Sequence, residues 1–172
     1  MKTTRVFPSV IAFLEAKVPS YTKRTYVLAV SGGADSMLML DCFRLLGLSV
    51  VVAHVNYKLR GEASDLDQQV VEHYCKKYSI DFYCKTLDED WKLSLKGANL
   101  QHEARKVRYQ WFEELRIQNK FSYICTAHHL NDQAETILFH LLRGSSLKGL
   151  KRISDKNGHI LRLSAVCPCQ RI

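Results

Sequence analysis

The sequence has no C-x-x-C pair, no G-x-x-x-x-G-K-[ST] loop and no G-x-G-x-x-G fingerprint. It also has no run near the roughly 18 apolar residues that span a bilayer. The last absence excludes a membrane-spanning helix. The start, MKTTRVFPSVIAFLEAKVPS, carries Glu15 inside its apolar stretch and no small-residue cleavage site, so it reads as a short amphipathic helix and not a secretion signal. With 3 prolines and 8 glycines in 172 residues there are no flexible linkers, and there are no repeats or low-complexity tracts. The length suits one domain. Of the 6 cysteines, Cys42, Cys75, Cys84 and Cys125 are scattered through apolar or helical contexts, which fits small core residues in a reducing cytoplasm. Cys167-Pro168-Cys169 has the look of half a metal or redox site, but no second half is present and the segment reads as plain tail.

The formal net charge is +8. From Arg143 onward seven basic residues (Arg143, Lys148, Lys151, Arg152, Lys156, Arg162, Arg171) stand against Asp155 alone. A basic end of this kind fits a polyanionic partner such as RNA, and equally a solvated surface segment.

Apolar strand-like runs alternate with helical patterns. Strands are expected at Tyr26–Val30, Leu48–Val55, Ile80–Thr86 and Tyr123–Ala127. Helices are expected at Ser36–Leu46 with Gly47 as its stop, at Ser64–Tyr78 with Ser64 and Asp67 as a capping box, from Asn99 to Ile117, and from Asn131 or Asp132 to Leu142. This alternation predicts an α/β fold, a Rossmann-like parallel sheet with helices on both faces. Ligands in such sheets sit beyond the carboxyl ends of the strands. SGGADS, HVN and AHHLNDQ all fall there.

VLAVSGGADS places a strand against an abrupt glycine turn that opens directly into a helix. Gly32 and Gly33 lack Cβ and can take positive φ, letting backbone approach an anion. The first amides of the helix have no intrahelical partner, and Ser31 and Ser36 add hydroxyls. The result is an anion nest. A turn with glycines for sterics alone is the plainer alternative. Asp35 is a poor neighbour for a phosphate unless a cation bridges them; a magnesium ion held by Asp35 and phosphate oxygens resolves the conflict and favours nucleotide binding.

SGGADS resembles the S-G-G-x-D-S loop of the N-type ATP pyrophosphatases, the PP-loop superfamily, whose fold is adenine nucleotide α-hydrolase-like. Four further segments resemble the tRNA(Ile)-lysidine synthetase branch. His54-Val55-Asn56 with Leu59-Arg60-Gly61 is similar to H-x-N-H-x-L-R, with Tyr57 where that pattern has His. Glu103-Ala104-Arg105 with Arg108-Tyr109 is similar to E-x-A-R-x-x-R-Y, one residue shorter. Residues 127–136, AHHLNDQAET, match A-H-H-x-x-D-Q-A-E-T, and residues 141–150, LLRGSSLKGL, match L-L-R-G-[ST]-x-x-x-G-L. The resemblance covers about residues 25–153, leaving 1–24 as an N-terminal helical extension and 154–172 as a divergent basic tail in which the family's C-terminal RNA-binding domains are missing.

The resemblance implies a ligase that uses ATP to adenylate the wobble cytidine of a CAU-anticodon tRNA(Ile). It then joins L-lysine to that base and releases AMP and pyrophosphate. Ser31, Gly32, Gly33, Ala34, Asp35 and Ser36 would hold ATP, with His54 lining the adenosine pocket. His128 and Asp132 would be catalytic, and Asp35 and Asp132 would hold Mg2+. Arg105, Arg108 and Arg143 would touch phosphate or tRNA. The residues alone leave other roles open: a packed histidine for His129, a helix-start carboxylate for Asp132, a solvated basic face for Arg105 and Arg108, and a helix-end cation for Arg143. The reading places the protein in the cytoplasm, without a membrane partner, and allows a homodimer. The alternatives are another PP-loop tRNA-modifying enzyme, such as a thiolase, against which the absent C-x-x-C counts, and a shortened ATP- or tRNA-binding module without turnover.

Overall fold

The computed structural model describes residues 6–59, 61–87, 100–127 and 155–163. In chain order the elements are α1 (Val6–Lys17), β1 (Thr25–Ala29), α2 (Ala34–Leu45), β2 (Ser49–Asn56), α3 (Glu62–Lys77), β3 (Asp81–Thr86), α4 (Leu100–Gln118), β4 (Tyr123–Ala127), β5 (Lys156–Asn157) and β6 (Ile160–Leu163). The strands form one sheet in the order β3-β2-β1-β4-β6-β5. All neighbours are parallel except β5 and β6, which are antiparallel.

The central strands are nearly continuous apolar runs because both of their faces are covered. In β1, Tyr26, Val27 and Leu28 are fully buried. Alternate side chains feed two cores. Val10, Leu14, Leu28, Leu40, Phe43, Val52, Val71 and Cys125 gather on the face carrying α1, α2 and α3. Val27, Val51, Ala53, Val55, Phe112, Leu115 and Ile124 gather on the face carrying α4. The chain steps outward from β1 to β2 and β3, then returns to lay β4 on the other side of β1. Right-handed crossovers demand that helices change face at that reversal, and they do. The fold is a Rossmann-like α/β sheet, and its switch point lies between β1 and β4. Among the described residues, no helix is long and apolar enough to cross a membrane.

Among the described residues three crossover helices stop in the same way, each on a left-handed residue followed by an amide reaching five residues back. Gly47 (φ 67) precedes the Leu48 amide on the Phe43 carbonyl at 3.1 Å. Ser79 (φ 54) and Lys120 (φ 57) precede Ile80 on Cys75 and Phe121 on Arg116, both at 2.9 Å. This is the 6→1 bond of a Schellman stop, and only the first example uses the glycine that signals it in sequence.

Two sequence expectations change. The helix expected from Ser64 begins at Glu62, capped by Gly61 with no side-chain bond, and the Ser64 amide binds the Gly61 carbonyl at 3.0 Å. Ser64 and Asp67 therefore lie inside the helix and form no capping box. In addition, Ile160–Leu163, given no strand from sequence, pairs in parallel with β4. The helix expected at 131–142 and its start, and the cap at Asn99, lie outside the described residues.

Candidate functional site

The turn after β1 is built by its own hydroxyls. Ser36 is buried and donates to the Gly33 carbonyl at 2.9 Å, while its oxygen accepts the Ser31 amide at 3.2 Å. The Ser31 hydroxyl lies 3.2 Å from that of Ser36 and accepts the Gly33 amide at 3.4 Å. The one proton of Ser36 is thus spent inside the turn, which makes Ser36 a brace for the loop. Ser31 is exposed and retains the capacity to face a ligand. Met37 is the first residue of α2 whose amide reaches a carbonyl one turn back, that of Gly33 at 3.0 Å. The amides ahead of it are aimed out of the helix start, where the dipole favours an anion. Asp35 and Ala34 occupy that first turn.

The two glycines are not equivalent. Gly32 has φ +91, and a Cβ there would stand 3.0 Å from the Cβ of Asp67 and 3.1 Å from its carbonyl oxygen. Gly33 has φ −72 and ψ 157 as the cap of α2, with only the Ser31 hydroxyl near, at 3.5 Å. Of the two glycines that can take positive φ, only Gly32 does so. α3 is tied to α2 by Asp41, which accepts from Arg44 at 2.7 Å and from the Tyr74 hydroxyl. That bond fixes the helix pair against which Gly32 rests.

His54 is 2 % exposed, and its Nδ1 lies 2.8 Å from the carbonyl of Val30, the residue that leads into the turn. Nδ1 is therefore the protonated nitrogen of a neutral ring. Burial pushes the imidazole below its ordinary value, against the opposing pull of the Val30 carbonyl and Asp67. Its neighbours along β2 fix its direction. His54 shares the α2–α3 face with Val52, whereas Ala53 and Val55 face α4.

On the α4 face a small pocket, partly open to solvent, is lined by Ala29, Val30, Ser31, Ala53, Val55, Tyr57, Arg108 and Phe112. His54 is not in that lining, so it steadies the turn from the other face of the sheet. The pocket owes its floor to register. Ala53, Ala29, Thr126 and Arg162 stand side by side across β2, β1, β4 and β6, and the adjacent alanines leave room where larger side chains would fill it. Thr126 is 8 % exposed, and its Oγ1 has no hydrogen-bond partner. β2 pairs with β1 only as far as Ala53 opposite Ala29, then runs on to Asn56. That leaves the β1-side edge of its last three residues beside the turn.

Asn56, also 2 % exposed, ties the end of β2 to α3. Its amide donates to Asp65 at 2.8 Å and Gln68 at 2.9 Å, and its oxygen accepts the Lys58 amide at 2.9 Å. The Lys58 ammonium also binds Asp65, and it leads the forces that hold that carboxyl below its ordinary range. Arg105 and Arg108, one turn apart, both approach the Tyr109 ring, at 5.1 and 5.5 Å. Arg108 lines the pocket, whereas Arg105 is exposed. His128, His129, Asp132, Arg143, Cys167 and Cys169 lie outside the described residues. Sequence reasoning gave no site role to Tyr57, Asp67 or Thr126. For Thr126 the signal was present, as a lone hydroxyl near the carboxyl end of an otherwise apolar central strand.

Comparison with known proteins agrees with this geometry. A tRNA(Ile)-lysidine synthase of Chlorobaculum tepidum is 40% identical over 140 residues, which is 79% of this chain and 42% of that protein. One of Bacteroides thetaiotaomicron is 35% identical over 153 residues, covering 89% of this chain and 36% of the relative. The chain thus spans well under half the length of these relatives. In fold it is similar to the U34-tRNA thiolase NcsA of Methanococcus maripaludis, with a TM-score of 0.71 at 17% identity, covering 92% of this chain and 58% of that one. It is also similar to the NH3-dependent NAD synthetase of Campylobacter jejuni, with a TM-score of 0.58 at 18% identity, covering 85% and 62%. The PP-loop domain matches residues 7–166, which take in the turn, the pocket and the β5–β6 hairpin, and the chain belongs to that family.

Proposed function

We propose that this chain carries the ATP-splitting core of tRNA(Ile)-lysidine synthesis. The observation that carries the reading is the Gly32 turn, pressed against Asp67 and opening α2 beside the switch point of the sheet. The names of its relatives supply the substrate class. The α2 amides and Ser31 hold the β- and γ-phosphates, Ser36 and His54 keep that turn in shape, and the floor of Ala29 and Ala53 receives the adenosine. The free edge of β2 past Ala53 reads the adenine.

O2 of the wobble cytidine, in the anticodon loop of a CAU-anticodon tRNA(Ile), attacks the α-phosphorus. The bond to the β-phosphate breaks and pyrophosphate leaves. The amine of L-lysine then attacks C2, gives up a proton, and the C2–O2 bond breaks to release AMP. A cytidine in a loop is reached without opening a duplex. β4 ends at Ala127 beside the switch point, and the next residues in sequence include His128 and Asp132, which assist adenylation in this reading. Arg108 meets phosphate from within the pocket. Arg105 and Arg143 are left for phosphate or tRNA.

Asp35 and Asp132 would hold a magnesium ion, in keeping with its habit of binding through one or two carboxylates beside substrate phosphates. When bound it neutralises phosphate charge. The reading places the protein in the cytoplasm and allows a homodimer.

The test is AMP formation from ATP with the purified chain. It is expected only when both lysine and a CAU-anticodon tRNA are present. AMP formation that depends on a sulfur donor and not on lysine would overturn the reading in favour of thiolation.

A further inference from the structure

We propose that Tyr57 is a positioning residue of the pocket, acting through Arg108, and that its hydroxyl sets the guanidinium edge that meets a phosphate oxygen of the bound nucleotide. The proposal rests on the ATP reading above and adds to it a residue at which this chain departs from the H-x-N-H-x-L-R pattern.

The geometry runs from the backbone outward. The Asn56 side chain accepts the Lys58 amide two residues on, closing an Asx turn around Tyr57, and Lys58 takes φ 52. Tyr57 thereby leaves the end of β2 in one fixed direction, its ring packed on the α4-face core. A phenol has one proton. Here the hydroxyl donates it to the Ala104 carbonyl at 3.2 Å, so only its lone pairs remain to face Arg108, which lines the same pocket. Ala104 and Arg108 are four residues apart on α4, so the hydroxyl holds the backbone of the helical turn that carries Arg108.

Arg108 is left with unspent donors. Its Nε is buried and has no partner. Among the described residues no carboxylate lines the pocket, and the nearest element of the turn in that lining is Ser31. A buried, vacant Nε on a guanidinium whose pocket lining holds no carboxylate is costly unless a ligand supplies the acceptor. A nucleotide phosphate has the matching charge and geometry.

The experiment is a double-mutant cycle on Mg-ATP binding, read by calorimetry on the full chain, with thermal melting run in parallel. Arg108→Ala is expected to weaken binding about tenfold, and Tyr57→Phe about fivefold to tenfold, from the loss of the hydroxyl that faces a charged group. In the Arg108→Ala background Tyr57→Phe is expected to change nothing further. A merely structural phenol would give additive losses, and that result overturns the proposal. So does wild-type affinity in Tyr57→Phe when Arg108→Ala is impaired. Wild-type affinity in Arg108→Ala would instead remove the nucleotide from this pocket and overturn the underlying reading as well. If Arg108→Ala does not melt cooperatively, Arg108→Lys closes the same cycle. It keeps the charge without the planar fork, and a persisting effect of Tyr57→Phe on top of it contradicts the proposal.

Discussion

Gly32 and Asp67 are in backbone contact: a Cβ on Gly32 would lie 3.2 Å from the Asp67 Cα and 3.0 Å from its Cβ. The glycine turn therefore has no room to move toward α3, and its position is set by where α3 packs. Gly32→Ala combines this clash with a positive φ and is expected to cost about 1–3 kcal/mol in stability, with loss of Mg-ATP binding. Gly33→Ala, at an ordinary φ with nothing closer than 3.5 Å, is expected to cost about 1 kcal/mol or less. Urea denaturation of the two variants checks the contrast.

Ser36→Ala removes an acceptor for the Ser31 amide and a donor to the Gly33 carbonyl. Both lost bonds are internal to the turn, so the expected effect is about 1–2 kcal/mol of stability together with weaker Mg-ATP binding. A Ser36→Ala variant of unchanged stability that loses only ligand affinity would make Ser36 a direct phosphate donor instead of a brace.

His54 gives the fold an acid limit. Its folded value lies below the ordinary 6.5, chiefly through burial, so the unfolded chain binds the extra proton first. The contribution is complete above about pH 6.5 and is lost as pH falls from there toward the folded value. Thermal melting between pH 7.5 and 5 is expected to show a decline that is shallower in His54→Gln, which offers a donor to Val30 without titrating. An equal decline in both proteins contradicts this assignment.

Asn56→Ala leaves Asp65, Gln68 and the Lys58 amide each short of one bond, at a site 2 % exposed. The expected loss is about 2–4 kcal/mol, measured by urea denaturation. Because the Asx turn around Tyr57 goes with it, Mg-ATP affinity is expected to fall as well.

Much of this architecture was legible because local pattern and global fold agree. Tyr123–Ala127 is a strand within the limits read from sequence, and Gly47 is the left-handed stop its position announced. The elements that were missed are those fixed by distant partners. Ile160–Leu163 is a strand because β4 offers it a parallel edge, which no local window contains. α3 starts two residues before its apparent capping box because Gly61 adopts φ 53 and hands its carbonyl to Ser64. The site divides in the same way. SGGADS named the turn, but only register shows that Ala53 and Ala29 make a floor, and only the alternation along β2 puts His54 on the opposite face. Tyr57 looks like a departure from a pattern, yet its hydroxyl binds the Ala104 carbonyl one turn before Arg108, in the same pocket wall.

The central claim is that the turn from Ser31 to Ser36 grips the diphosphate of ATP. The direct measurement is calorimetric titration of the chain with Mg-ATP, magnesium pyrophosphate and AMP, each repeated on Gly32→Ala. The account predicts that ATP and pyrophosphate bind the native chain and fail on the variant, while AMP binds both alike. Pyrophosphate binding that is absent from the native chain, or untouched by Gly32→Ala, would contradict it.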